Sequence, residues 1–132
     1  MTGPSPLDQL SSALRAHARG LLCAEAAVEL LISQQSWLDR RDFVDEFVDR
    51  ADSMDPQPSG SVAMAVVDWV RARAALDAGT LPCSSGEAKL LAIAASLGEG
   101  IPVDLRDALT GLDASNIELV RRMVSHAADH RP

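Results

Sequence analysis

Tyrosine is absent from this chain, and its 132 residues hold four aromatics, Trp37, Phe43, Phe47 and Trp69. A core so short of rings must be filled mainly by Leu, Val and Ala. Alanine is the best helix former, and scarcity of Thr, Ile and aromatics argues against extended sheet. Cysteine occurs only at positions 23 and 83. A chain of this length can bury one continuous core without a covalent staple, so reduced thiols and a cytoplasmic setting are expected. Residues Met1 to Leu7 lack the charged start and apolar stretch of a secretory leader. The longest nearly apolar run, Val62 to Val70, contains Asp68 and falls far short of the roughly 20 residues that span a bilayer. Lysine is nearly missing as well: Lys89 stands alone, and the other basic residues are arginines. With abundant Ala, that bias suggests a GC-rich bacterial genome.

The net charge is −7, with 47% hydrophobic and 23% charged residues. That composition fits one globular domain and sets the chain against nucleic acid and anionic membranes unless a basic patch offsets the balance.

The local signals specify helices. Gly3, Pro4 and Pro6 predict a loose start over residues 1–6, before a domain of 7–130. A first helix is expected from Leu7 to Arg19, with Leu7, Leu10 and Leu14 on one face. A second, from Leu21 to about Ser33, has a wide apolar arc that includes Cys23. Ser36 and Asp39 resemble a capping box for a third helix running to Asp52. Its apolar stripe is Phe43, Val44, Phe47, Val48 and Ala51; its acidic face holds Asp42, Asp45, Glu46, Asp49 and Asp52. Trp37, at the break before it, is expected to be partly exposed. Pro56, Pro58 and Gly60 mark residues 53–60 as a connection inside the domain.

Ser61 then caps an expected helix to Ala78, stopped by Gly79. Its first half is apolar nearly all round, as in a central helix or one that meets a second chain. Ser84 and Glu87 form a capping box, and Gly98 and Gly100 end that helix. Pro102, Gly111 and Asp113 delimit two more, over about 104–110 and 114–129, the latter with Ile117, Val120, Val124 and Ala127 inward. The fold expected is all-α: a single-domain orthogonal or irregular bundle of six to seven short helices, with the Ser61–Ala78 helix central.

Chemistry is less legible. Arg121 and His126, with four residues between them on the last helix, resemble the signature of HEPN-type ribonucleases, which are all-helical and of similar size. The resemblance implies Arg and His acting on a scissile phosphate at a dimer interface. It covers those two positions, and Arg122 stands where the family often has a small polar residue. The plainer account is a set of cations near the negative end of a helix. A helix-turn-helix over residues 104–127 is a further reading, with Gly111 in the turn and Arg121 and Arg122 on the second helix. Against it stand Glu118 on that helix and the acidic balance of the chain.

His126 and His130 are spaced for one metal ion, but no third ligand lies near them in sequence, so no metal or cofactor is expected. Cys83 precedes a helix N-terminus, yet Glu87 brings negative charge to the same place. The reading these features favour is a non-catalytic module that works by protein contact, with a partner or as a homodimer. Its surface would include Val62, Val66, Trp69 and Val70, where apolar side chains exceed what one core needs.

Overall fold

A computed structural model of the protein describes residues 5–51 and 64–129. Among them are seven helices and one two-stranded ladder. In chain order these are α1 (Pro6–Ala18), α2 (Leu22–Gln34), α3 (Arg41–Phe47), β1 (Val48–Ala51), β2 (Met64–Val67), α4 (Trp69–Ala78), α5 (Ser85–Glu99), α6 (Leu105–Thr110) and α7 (Ala114–Ala127). The protein is a bundle of short helices, as its composition predicts.

The helix starts follow from polar side chains that satisfy free backbone N–H groups. Ser84 and Glu87 make the reciprocal capping box: the Glu87 amide donates to Ser84 Oγ at 3.2 Å and the Ser84 amide to Glu87 Oε1 at 2.9 Å. Asp104 and Asp113 cap α6 and α7. The helix begun at Ser84 passes through Gly98 and ends at Gly100, whose φ of 73° suits glycine. At the other end of the chain, Ser5 caps α1 and Pro6 is its first residue. Pro6 therefore belongs to the helix rather than to a loose start; its fixed φ and missing N–H suit that position.

The core is centred on α5 and α2. Residues Leu90 to Ala95 of α5 are all buried, and α5 packs on α2, α4 and α6. On its other sides α2 meets α7 and α1, and α1 lies across β2. This arrangement corrects the expectation that the Ser61–Ala78 helix is central. Residues 64–67 are a strand, and the helix begins at Trp69, capped by Asp68. Alternate burial explains the difference: Ala65 and Val67 face inward while Met64 and Val66 face out. That period of two belongs to a strand, and adjacent β-branched Val66 and Val67 favour it. Ser61, Val62 and the 53–60 connection lie outside the described residues.

The partner of β2 comes from the segment expected to continue the third helix. That helix ends at Phe47, and residues 48–51 pair antiparallel with β2 in the register Val48↔Val67, Asp49↔Val66, Arg50↔Ala65 and Ala51↔Met64. Interstrand hydrogen bonding takes the place of the helical bonds that Val48 to Ala51 would have made. The start differs too. Arg40, without a side-chain cap, holds the N-cap position.

Four side chains depart from expectation. Trp37 is wholly buried. Its Nε1 donates to the Glu87 carbonyl at 3.0 Å, so the polar atom of the indole is satisfied within the core. Cys23 is exposed, because the buried arc of α2 starts one turn later at Ala26. On α7 the inward residues are Val120 and Met123, while Ile117 and Val124 are exposed. Packing against α2 rotates the buried stripe away from those two positions.

Candidate functional site

Two places concentrate side chains that the core does not use. The first is a cleft of about 320 Å³ between α1, α2 and the last turn of α7, lined by Arg15, Arg19, Glu25, Glu29 and His126 over Ala18 and Val28. His126 Nε2 lies 2.7 Å from Glu25 Oε1, joining residues 101 positions apart. Glu25 also accepts the Gly20 amide at 2.9 Å. That backbone bond, then the bond with His126, holds its carboxyl below the usual value of 4.5. Beside it Arg15 forks onto both oxygens of Glu29, at 2.7 and 3.1 Å.

The cleft is therefore a set of interhelical pairs tying the α1–α2 corner to α7. Partly exposed pairs of this kind contribute under about 1 kcal/mol each. A group with a lowered folded pKa adds stability above its unfolded value, and loses that contribution as pH falls through the folded one. Glu25→Gln is expected to melt slightly below the parent above pH 4.5 and to converge with it in acid. Melting curves that stay parallel across that range would contradict the clamp.

The arrangement engages His126 and Arg121 separately. Arg121 forks onto Glu118, one turn earlier on the same helix, at 2.6 and 2.9 Å, while His126 faces Glu25. Five helical positions are about 140° apart around the axis, so the two side chains leave α7 in different directions. The 104–127 pair is not packed as a helix-turn-helix unit: α6 lies on α5 and α7 on α2. Cys83 is exposed, and its thiol is raised above its ordinary value by desolvation and then by the Glu87 carboxylate, against the pull of Arg40. His130 lies outside the described residues, and among those residues no group of three or more His, Cys, Asp or Glu side chains is placed to hold a metal ion.

The second place is the outer side of β2 with α3 and α4. Met64, Val66 and Val70 are 43, 37 and 57% exposed. Three of the eight large apolar side chains exposed among the described residues thus fall within seven positions of the chain. Across the ladder, Val66 stands opposite Asp49, so apolar and acidic groups share that face. Trp69, between Val66 and Val70, turns the other way and is 7% exposed, making it a core residue. Val62 lies outside the described residues.

One turn after Val70 on the same helix, Ala74 lines a groove of about 660 Å³ between α3 and α4. Arg71 braces that groove. It donates to the Glu46 carbonyl at 3.1 Å and to Glu46 Oε1 at 2.8 Å, and its guanidinium sits 5.5 Å from the centre of the Phe47 ring. Val66 and Val70, singled out in the sequence for their surplus of apolar residues, are both exposed. Met64 and Ala74, which the sequence did not single out, are exposed as well, because of the strand and the true start of α4.

No family model, curated protein or solved structure matches this chain. Among the described residues no helix is long and apolar enough to cross a membrane.

Proposed function

We propose that this protein works by protein contact, through the surface formed by Met64 and Val66 on β2 and by Val70 and Ala74 on α4. The exposed apolar cluster carries the reading. Isolated apolar side chains are ordinary on a protein surface, but a group gathered on adjoining elements and bordered by polar residues is the usual anatomy of a contact site. The charged cleft supports a structural role for His126, because its hydrogen bond joins two helices. The two free thiols and the arginine-rich, alanine-rich composition favour a bacterial cytoplasm as the setting.

Photo-crosslinking tests the proposal. A photoreactive residue in place of Val70 is expected to yield a discrete covalent adduct in cells, either with a partner or with a second copy. The same residue in place of Ser12, exposed on α1, should yield none. Absence of an adduct at Val70, or equal adducts at both positions, would overturn the reading.

A further inference from the structure

We propose that the α3–α4 groove seats a basic amphipathic segment of a partner protein; this rests on the reading of the chain as a contact module. The floor of the groove is apolar: Phe47 and Leu81 are exposed by only 6 and 7%, and Ala74 lies beside them. Its α3 wall carries Asp42, Asp45 and Glu46. Two of these acids are already engaged, Asp42 by Arg40 at 2.6 Å and Glu46 by Arg71 at 2.8 Å. Asp45 has no hydrogen-bond or ion-pair partner among the described residues, and Arg40, Arg41 and Arg50 line the depression on its other side. Among the described residues Arg71 is the one cation lining the groove, and its charge is spent on Glu46 and on the Phe47 ring.

A segment that fits must therefore cover an apolar floor and bring positive charge to Asp45. Outside the groove lining, Asp49 adds a further carboxylate opposite Val66 on the ladder. An acidic or purely apolar segment would leave these carboxylates facing like charge or losing water without compensation. A helix with Leu on one face and Lys or Arg beside it meets both demands.

The test uses the full chain and a fluorescein-labelled helical peptide of Leu, Ala and Lys, compared with the same peptide bearing Glu in place of Lys. Fluorescence anisotropy is expected to show binding of the basic peptide only. Asp45→Asn should weaken that binding by about tenfold, the loss of one charge pair in a partly desolvated groove. Ala74→Phe fills the groove without changing charge and should weaken it at least as much. Glu99→Gln, an equal charge change outside the groove lining, should leave it unaltered. If Ala74→Phe lowers the helical circular-dichroism signal, Asp45→Asn against Glu99→Gln decides alone.

Equal losses with Asp45→Asn and Glu99→Gln would overturn the proposal by reducing the binding to net charge. Binding of both peptides, or of neither, would overturn it too. So would a doubled mass by light scattering that Ala74→Phe returns to monomer, since a second copy would then occupy the groove. Any of these results alongside a Val70 adduct would remove the basic segment and leave the contact module standing. Loss of the Val70 adduct would remove the module itself.

Discussion

Trp37→Ala is expected to cost this protein about 3–5 kcal/mol, the range for removing a large ring from a packed core. That is a large share of the stability of a typical small domain, about 5–15 kcal/mol. Trp37 is one of seven large side chains among the described residues that are almost completely out of solvent. Its ring centre lies 5.1 Å from that of Phe43, and Phe43 lies 5.5 Å from Phe47, in tilted arrangements. The Arg40 guanidinium sits 4.8 Å from the Trp37 ring centre and donates at 2.7 Å to the Pro82 carbonyl. Removing the indole thus empties the space beneath α5, deprives Arg40 of its platform and ends the bond to Glu87. Trp37→Phe keeps most of the volume and loses the N–H donor, so a cost of about 1–2 kcal/mol is expected. Urea unfolding of the two variants checks the order. Equal, small losses would contradict the burial of Trp37.

Gly98→Val is the second substitution with a large expected effect. A Cβ built on Gly98 would lie 2.4 Å from Trp69 Nε1, 2.7 Å from Cε2 and 2.9 Å from Cδ1. No such contact survives without movement, and the obstacle is the body of a buried ring rather than the tip of a flexible chain. Two effects oppose each other in Gly98→Ala. Replacing a helical glycine gains about 1 kcal/mol of helix propensity, while overpacking costs about 1–3 kcal/mol. The steric term wins, because α4 is held against α5 through this contact. Gly98→Val adds two further methyl groups and poorer propensity, so its cost should reach or exceed the top of that range. Pairing Gly98→Ala with Trp69→Leu is expected to recover part of the loss. A Gly98→Ala protein more stable than the parent, with no such coupling to Trp69, would contradict the α4–α5 packing.

The parts of the fold legible in the sequence are those decided by neighbours. Ser84 and Glu87 lie three positions apart, and their reciprocal bonds need nothing from elsewhere. The same holds for Asp113 before α7 and Gly100 after α5. Trp37 was not legible: its buried N–H finds an acceptor fifty positions along the chain. Nor was the ladder, since apolar Met64 to Val67 satisfies both helical and extended patterns. Its pairing with residues 48–51 decides between them. For the candidate site, the surplus at Val66 and Val70 was visible in composition. Its shape was not, because strand geometry selects which of residues 64–67 face out. His126 was visible as a residue of interest, but its partner Glu25, from a helix at the other end of the chain, was not.

The contact surface depends on residues 64–67 being extended, since only then do Met64 and Val66 leave the protein on one side while Ala65 and Val67 turn inward. Backbone chemical shifts and nuclear Overhauser contacts measured on the full-length protein test this directly. The account predicts extended-type carbon shifts at 48–51 and 64–67, cross-strand contacts joining Val48 to Val67 and Asp49 to Val66, and helical shifts beginning at Trp69. Uninterrupted helical shifts from residue 64 to Ala78, without those cross-strand contacts, would contradict it and dissolve the surface on which the proposed function rests.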